Sequence, residues 1–148
     1  MIGRRTWVAS SVLFPLAAAA AFAALMQHSE TTIPIPAPGE STPLSKPEYR
    51  ARFVASIDSV TVEMQSPEGA DPVVARWAFL GSNTDGQAHR VEIAVRLLDE
   101  SGKQIGVHSA RAVVAPGAKG QQLNVTTKVK ADVWKAAKKA RIFADWTS

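Results

Sequence analysis

The sequence predicts an all-β fold, an antiparallel sandwich of two sheets, and three observations predict it. From residue 53 onward, apolar and polar residues alternate in repeated short runs. Clusters of Gly, Pro, Asn, Asp and Ser separate those runs at regular spacing. The period lengthens to that of a helix in one short stretch only, Ala131–Ala140. Side chains two apart share a face of a strand, so the alternation marks strands with one buried face, and the clusters between them supply turns.

Taken in chain order, Phe53, Ala55 and Ile57 face one way and Val60, Val62 and Met64 continue that face one residue out of phase. The slip at Asp58-Ser59 predicts a β-bulge. After a loop at Ser66–Pro72, Val73, Ala75, Trp77 and Phe79 form the inward face of a second strand, with Trp77 at the centre of the core. Ser82-Asn83-Thr84-Asp85-Gly86 is read as a hairpin turn in which Gly86 takes a positive φ. Val91, Ile93, Val95 and Leu97 then alternate with Arg90, Glu92 and Arg96. Asp99-Glu100-Ser101-Gly102-Lys103 turns that strand into Ile105–Val114, and Pro116-Gly117 leads on to Leu123, Val125, Thr127 and Val129.

Within Ala131–Ala140, Val133, Trp134, Ala137 and Ala140 share a helical face. Asp132 suits the positive start of such a helix, and Lys135, Lys138 and Lys139 suit its negative end. Arg141–Thr147 closes the fold as a last strand through Ile142, Ala144 and Trp146. Six short strands with tight turns favour an immunoglobulin-like arrangement of the two sheets. The expected core is Trp77, Phe79, Val95, Leu97, Trp134 and Trp146.

The run Val95-Arg96-Leu97-Leu98-Asp99, with Gly102-Lys103 after it, Asn83 before it and Pro116-Gly117 downstream, resembles the FxLYD-type domain. That family is an immunoglobulin-like module of prokaryotic envelope proteins. The resemblance covers roughly Val73–Trp146; Val95 stands where the family has Phe, and Leu98 where it has Tyr. It implies a sandwich fold and an envelope setting, and it brings no catalytic residues with it.

The N-terminal third reads differently. No Asp, Glu, Lys or Arg lies between Arg5 and Glu30, and Trp7–Met26 is almost wholly apolar. As a helix it would be ~30 Å long, about one hydrocarbon core. Arg4 and Arg5 precede it and no Lys or Arg follows before Lys46, which keeps positive charge on the cytoplasmic side and sends the rest of the chain outward. Residues 1–26 are thus read as a signal peptide or a signal-anchor helix. Ala21-Phe22-Ala23 fits the small-x-small rule of cleavage, whereas the length of the apolar run fits an uncleaved anchor. Both readings stay open here.

Residues 27–49 hold Pro34, Pro36, Pro38, Pro43 and Pro47 among Ser, Thr and Glu. They are expected to be an unfolded, extended spacer reaching up to ~70 Å, which leaves residues 50–148 as the folded domain. The protein is accordingly expected to be exported. It would be held at the inner membrane and face the periplasm or cell exterior, or be periplasmic or secreted after cleavage.

Composition narrows the function classes. There is no cysteine, hence no disulfide framework and no Cys-based zinc or redox site. The net charge of +4 is uneven: residues 28–102 carry six basic and eleven acidic side chains, while 103–148 carry nine basic and two acidic. So weak a field in an exported domain argues against nucleic acid as a partner. His28, His89 and His108 lie apart and form no metal signature, and no nucleophile has a base beside it in the sequence. No cofactor, metal, catalytic residue or small-molecule substrate is therefore predicted. Asn124-Val125-Thr126 matches a glycosylation acceptor, but it falls on an expected central strand.

An alternating path of strands puts Asp85 at one pole of the sandwich. Asp71, Asp99, Glu100 and the helix then lie at the other, where neutralisation of these acids by Lys135, Lys138 and Lys139 is expected. That distal pole, which presents the Ser66–Pro72 loop, the Asp99–Gly102 turn and the basic helix, is the expected binding surface, with Asp99, Glu100, Lys135, Lys138 and Lys139 as its candidate residues, because loops on a rigid scaffold are where recognition sits. The expected function is a non-enzymatic, membrane-tethered envelope module that binds or scaffolds another envelope protein. The alternative is a soluble periplasmic or secreted ligand-binding protein.

Overall fold

The structure, a computed structural model, describes residues 26–44 and 54–147. The expected apolar helix lies outside these residues except for Met26, which opens a strand, and Phe53 lies outside them too. Eight strands follow one another: β1 (Met26–Pro34), β2 (Ser41–Pro43), β3 (Ala55–Met64), β4 (Val73–Asn83), β5 (His89–Leu98), β6 (Gln104–Val114), β7 (Gln121–Val129) and β8 (Lys139–Thr147). One short helix, α1 (Ala131–Ala136), joins β7 to β8. They form two four-stranded sheets, β1-β8-β5-β6 and β2-β3-β4-β7, and every pairing is antiparallel. Among the described residues no helix is long and apolar enough to cross a membrane.

Alternation places the core between the sheets. Ala75, Trp77 and Phe79 of β4 face Val91, Ile93, Val95 and Leu97 of β5, with Val60 and Val62 of β3 and Ile142, Ala144 and Trp146 of β8 alongside. Trp77, Phe79, Val95 and Leu97 are fully buried and Trp146 nearly so. Trp77 Nε1 donates to Thr127 Oγ1 at 3.2 Å, and that hydroxyl faces the Ala75 carbonyl at 3.4 Å. Both polar groups of this buried pair thereby find partners inside the core. Trp134, expected in the core, is only half-buried and packs against its edge.

The bulge expected at Asp58-Ser59 is present as a register shift between Ile57 and Ser59 in the β3–β4 ladder. Asp58 is the extra residue, and its carboxylate accepts from the hydroxyls of buried Ser56 and half-buried Ser82.

Five expectations are corrected. Residues 27–43 are not an unfolded spacer: β1 pairs with β8 along its length, and β2 pairs with β3. Ile33, Pro36 and Leu44 are buried in doing so. The described part of the Pro-rich stretch therefore belongs to the folded domain, with Pro34 and Pro43 at strand ends on sheet edges, where a missing N–H costs no ladder bond. Ser82–Gly86 is not a hairpin, since β4 and β5 lie in different sheets and the turn carries the chain across the sandwich. Nor is Gly86 among the positive-φ glycines, which include Gly102 and Gly117. The helix ends at Ala136, not Ala140: Ala137 is already extended (ψ 121°), the Lys138 N–H donates to Leu98 C=O at 2.8 Å, and β8 starts at Lys139. Met64, expected inward, is partly exposed at the end of β3.

The strand directions define two poles. Met26, Thr84, Asp85 and Thr147 share one end; the loop between β3 and β4, the β5–β6 turn and α1 share the other.

Candidate functional site

At the second pole, the chain between β3 and β4 folds back on itself before re-entering the sheet. Gln65 N–H donates to Val74 C=O at 2.8 Å, Val74 N–H donates to Ser66 Oγ at 3.0 Å, and Ala70 N–H donates to Pro67 C=O at 3.1 Å. Gly69 takes φ 81°, a conformation open to glycine at little steric cost, and the Asp71-Pro72 peptide is cis. Asp71 Oδ1 accepts from the Ala131 N–H at 3.2 Å, which ties this loop to the first turn of α1. Asp132 lies in that same turn, where its charge suits the exposed N–H groups.

Between loop and helix lies a cleft of about 390 Å³ lined by Pro38, Met64, Ser66, Pro67, Glu68, Gly69, Val73 and Trp134. Proline rings, a thioether and an indole make most of its wall; Ser66 and Glu68 are the polar exceptions. Such a surface takes up an apolar side chain or a flat ring by burial of apolar area. Trp134 explains its own half-burial here, one side against the core and the other open to the cleft.

The five residues expected to bind are placed as follows. Asp99 Oδ1 accepts from Ser101 N–H at 2.9 Å, Ser101 Oγ at 2.6 Å and Lys103 N–H at 2.9 Å. These bonds, the Ser101 hydroxyl foremost and the Lys103 amide next, hold its pKa below the usual carboxylate value. Together with Gly102 at φ 86°, they build the β5–β6 turn, so Asp99 is a structural residue of its own hairpin. Glu100 projects from that turn into solvent. Lys135, Lys138 and Lys139 are exposed; Lys138 Nζ donates to Lys135 C=O at 3.2 Å, close to the helix end. Among the described residues no ion pair joins these lysines to Asp71, Asp99 or Glu100. The expected neutralisation is thus not made by contact: Asp71 and Asp99 serve backbone N–H groups, and the lysines stay exposed, none of them among the residues that line the cleft, whose one charged side chain is Glu68.

The sequence points to the Ser66–Pro72 loop, which holds Pro67 and Gly69, but not to Pro38 or Met64 as part of a site. Pro38 was assigned to the spacer and Met64 to the core, and only the fold brings them together. The first pole is organised differently. Asn83 is fully buried; its Nδ2 donates to Gln87 C=O at 2.7 Å and to Val114 C=O at 3.3 Å, and its Oδ1 accepts from Asp85 N–H at 2.9 Å. Asp85 in turn holds Gly86 N–H at 2.7 Å and the ring of His89 at 2.9 Å. The His89 contact first, then the Gly86 amide, lowers the pKa of Asp85. Among the described residues, no group of three or more His, Cys, Asp or Glu side chains is placed to hold a metal ion.

No family model matches the chain, and no curated protein does. Among solved structures, the enzymatically active domain of bacteriophage CBA120 tailspike protein 4 matches 80% of this chain at 15% identity, with a TM-score of 0.26. This chain spans 17% of that one's length. A likeness of that degree carries nothing about activity.

Proposed function

We propose that this protein is a non-enzymatic, exported module of the cell envelope, immunoglobulin-like in type and akin to FxLYD domains, that is held to the membrane by its N-terminal apolar stretch and binds another envelope protein. The observation that carries the reading is the apolar cleft between the β3–β4 loop and Trp134, at the pole opposite both Met26 and Thr147. A segment inserted up to residue 25 would deliver the chain to the Met26 end of the sandwich, which leaves the cleft on the side away from the bilayer. Because β1 begins at Met26, the reach is set by the sandwich itself: ten-residue strands hold the cleft about 33 Å from the anchored end. Lys135, exposed and next in the chain to Trp134 of the cleft wall, suits a partner that presents an apolar side chain with an acidic group on the helix side.

The test is copurification from a mild detergent extract of membranes, comparing the native chain with Met64→Lys. A stoichiometric partner that is lost in the variant, with the variant's thermal unfolding unchanged, supports the reading. A native chain that extracts without a partner, or a partner indifferent to Met64→Lys, refutes it.

One observation favours the second reading, a soluble ligand-binding protein made by cleavage after Ala23. The first strand begins three residues beyond that point, leaving little chain to act as a tether. The mass of the mature protein separates the two: an intact chain in the membrane fraction supports the anchor, and a soluble chain starting near residue 24 supports cleavage.

A further inference from the structure

We infer that two copies of this protein pair edge to edge through β6, antiparallel and centred on Ala110, so that the two β1-β8-β5-β6 sheets run together as one. The four edge strands of the sandwich are not alike. β2 is three residues long. β1 carries Glu30 and ends on Pro34, and β7 carries Lys128, the kinds of residue that discourage a further strand. β6 is eleven residues long, contains neither Lys nor Pro, and has one full charge, Arg111, whose Nε is held by Glu92 at 3.1 Å. It also bears Val107 and Val113, which are 51% and 53% exposed, more than any other large apolar residue among those described.

The direction of its free backbone groups is visible at one end. Gln121 Nε2 donates to Val113 C=O at 2.8 Å, while Gln121 Oε1 accepts from Ala115 N–H at 3.0 Å, on the side of β6 away from β5. Alternation along a strand then puts the N–H and C=O groups of Arg111, Ser109 and Val107 on that same edge, which β7 flanks through Gln121 and through the Lys128 N–H donating to His108 Nε2 at 3.4 Å. The side chains of these three residues and of Val113 all lie on the outer face of the sheet.

A two-fold axis at Ala110 uses all of this at once. It sets Val107 opposite Val113 of the second copy and Ser109 opposite Arg111, in pairs that exchange their free N–H and C=O groups. Each exposed valine thereby gains an apolar neighbour, and no like charges stand directly opposite. Shifting the centre by one residue leaves the two valines unmatched. At the axis, Ala110 meets its own copy as a non-hydrogen-bonded pair, with Cα atoms about 4.5 Å apart. Val113 must exchange its Gln121 bond for one to the second copy, so the contact forms at the cost of that side-chain cap.

The chain has no cysteine of its own, so any disulfide reports an introduced one. With the full chain in native membranes under a mild oxidant, Ala110→Cys should give mostly disulfide-linked dimer, since the expected separation falls within disulfide reach. Val107→Cys should stay monomeric, because its own copy would lie about 20 Å away along the strands. Failure of Ala110→Cys to cross-link, or equal cross-linking by Val107→Cys, overturns the inference. A second measurement does not depend on a core-facing site. For the full chain in detergent, the protein mass per particle should fall twofold on changing both Val107→Lys and Val113→Lys; an unchanged mass overturns the pairing.

Discussion

The two poles of this sandwich are made of similar material and put it to different ends. At the Met26 end, polar side chains are consumed in holding turns: Asn83 bonds to three backbone groups, Asp85 holds the Gly86 amide and the His89 ring, and Asn83 and His89 are buried. At the opposite end, a loop and a six-residue helix are joined through Asp71, and between them an apolar cleft stays open, with exposed Lys135 next in the chain to Trp134 of its wall. The buried polar groups of the Met26 end serve its turns, and its hollow of about 410 Å³ on the outer sheet face is lined by the charged Arg90, Glu92, Arg111 and Asp145. Polar groups spent only on framing an apolar hollow leave that hollow available, and this contrast is why the binding role is placed at the far pole.

The contrast can be broken most strongly at Asn83. Asn83→Ala leaves the Asp85 N–H and the Gln87 carbonyl without their partner and removes the second donor at Val114 C=O, and should cost about 2–3 kcal/mol in chemical denaturation while sparing partner binding. Gly81→Ala, on the same half of β4, puts a Cβ 3.2 Å from Leu123 Cδ1. Leu123 must shift to admit it, at a cost of about 1–2 kcal/mol, again without effect on the cleft.

A smaller effect, confined to acid, is expected of Asp85→Asn. The native carboxylate has its pKa lowered in the fold, so its contribution to stability is present above the unfolded value, near pH 4, and is lost as pH falls through the folded one. The variant should therefore lose less stability than the native chain on acidification below about pH 4, as read by thermal melts across pH. Asp99 keeps part of the acid limb in both proteins, because its pKa is lowered too. The least effect on stability belongs to the far pole: Lys135→Ala with Lys138→Ala should stay within about 0.5 kcal/mol of native, while weakening the partner complex and reducing its dependence on salt.

The parts of this fold that were legible in the sequence are those where one local signal had one meaning. The phase slip at Asp58-Ser59 located the bulge, because a single extra residue is the cheapest way to keep Ile57 and Val60 on the same buried face. Strict alternation identified β5, and Trp77 followed from its inward position. The signals failed where tertiary context decided. The inward positions of β1 begin with Gln27, Ser29 and Thr31, with only Ile33 apolar, so an edge strand that buries little looked like a linker. Ser82–Gly86 has the composition of a turn whether the chain stays in its sheet or leaves it. Trp134 sat on the right helical face, yet a helix of six residues at the end of a sandwich has no full core to enter. Asp99 and the lysines mark the pole at which the cleft lies, but the cleft itself joins Pro38, Met64 and Trp134 from three distant segments, and no spacing records that.

The central claim is that partners meet this protein at the cleft and not at the Asn83 pole. It is tested most directly by a photo-cross-linking residue placed in the full chain, in living cells, at Met64 or at Thr84. The account predicts a discrete protein adduct from position 64 and none from position 84. An adduct from position 84 with none from position 64 would contradict it.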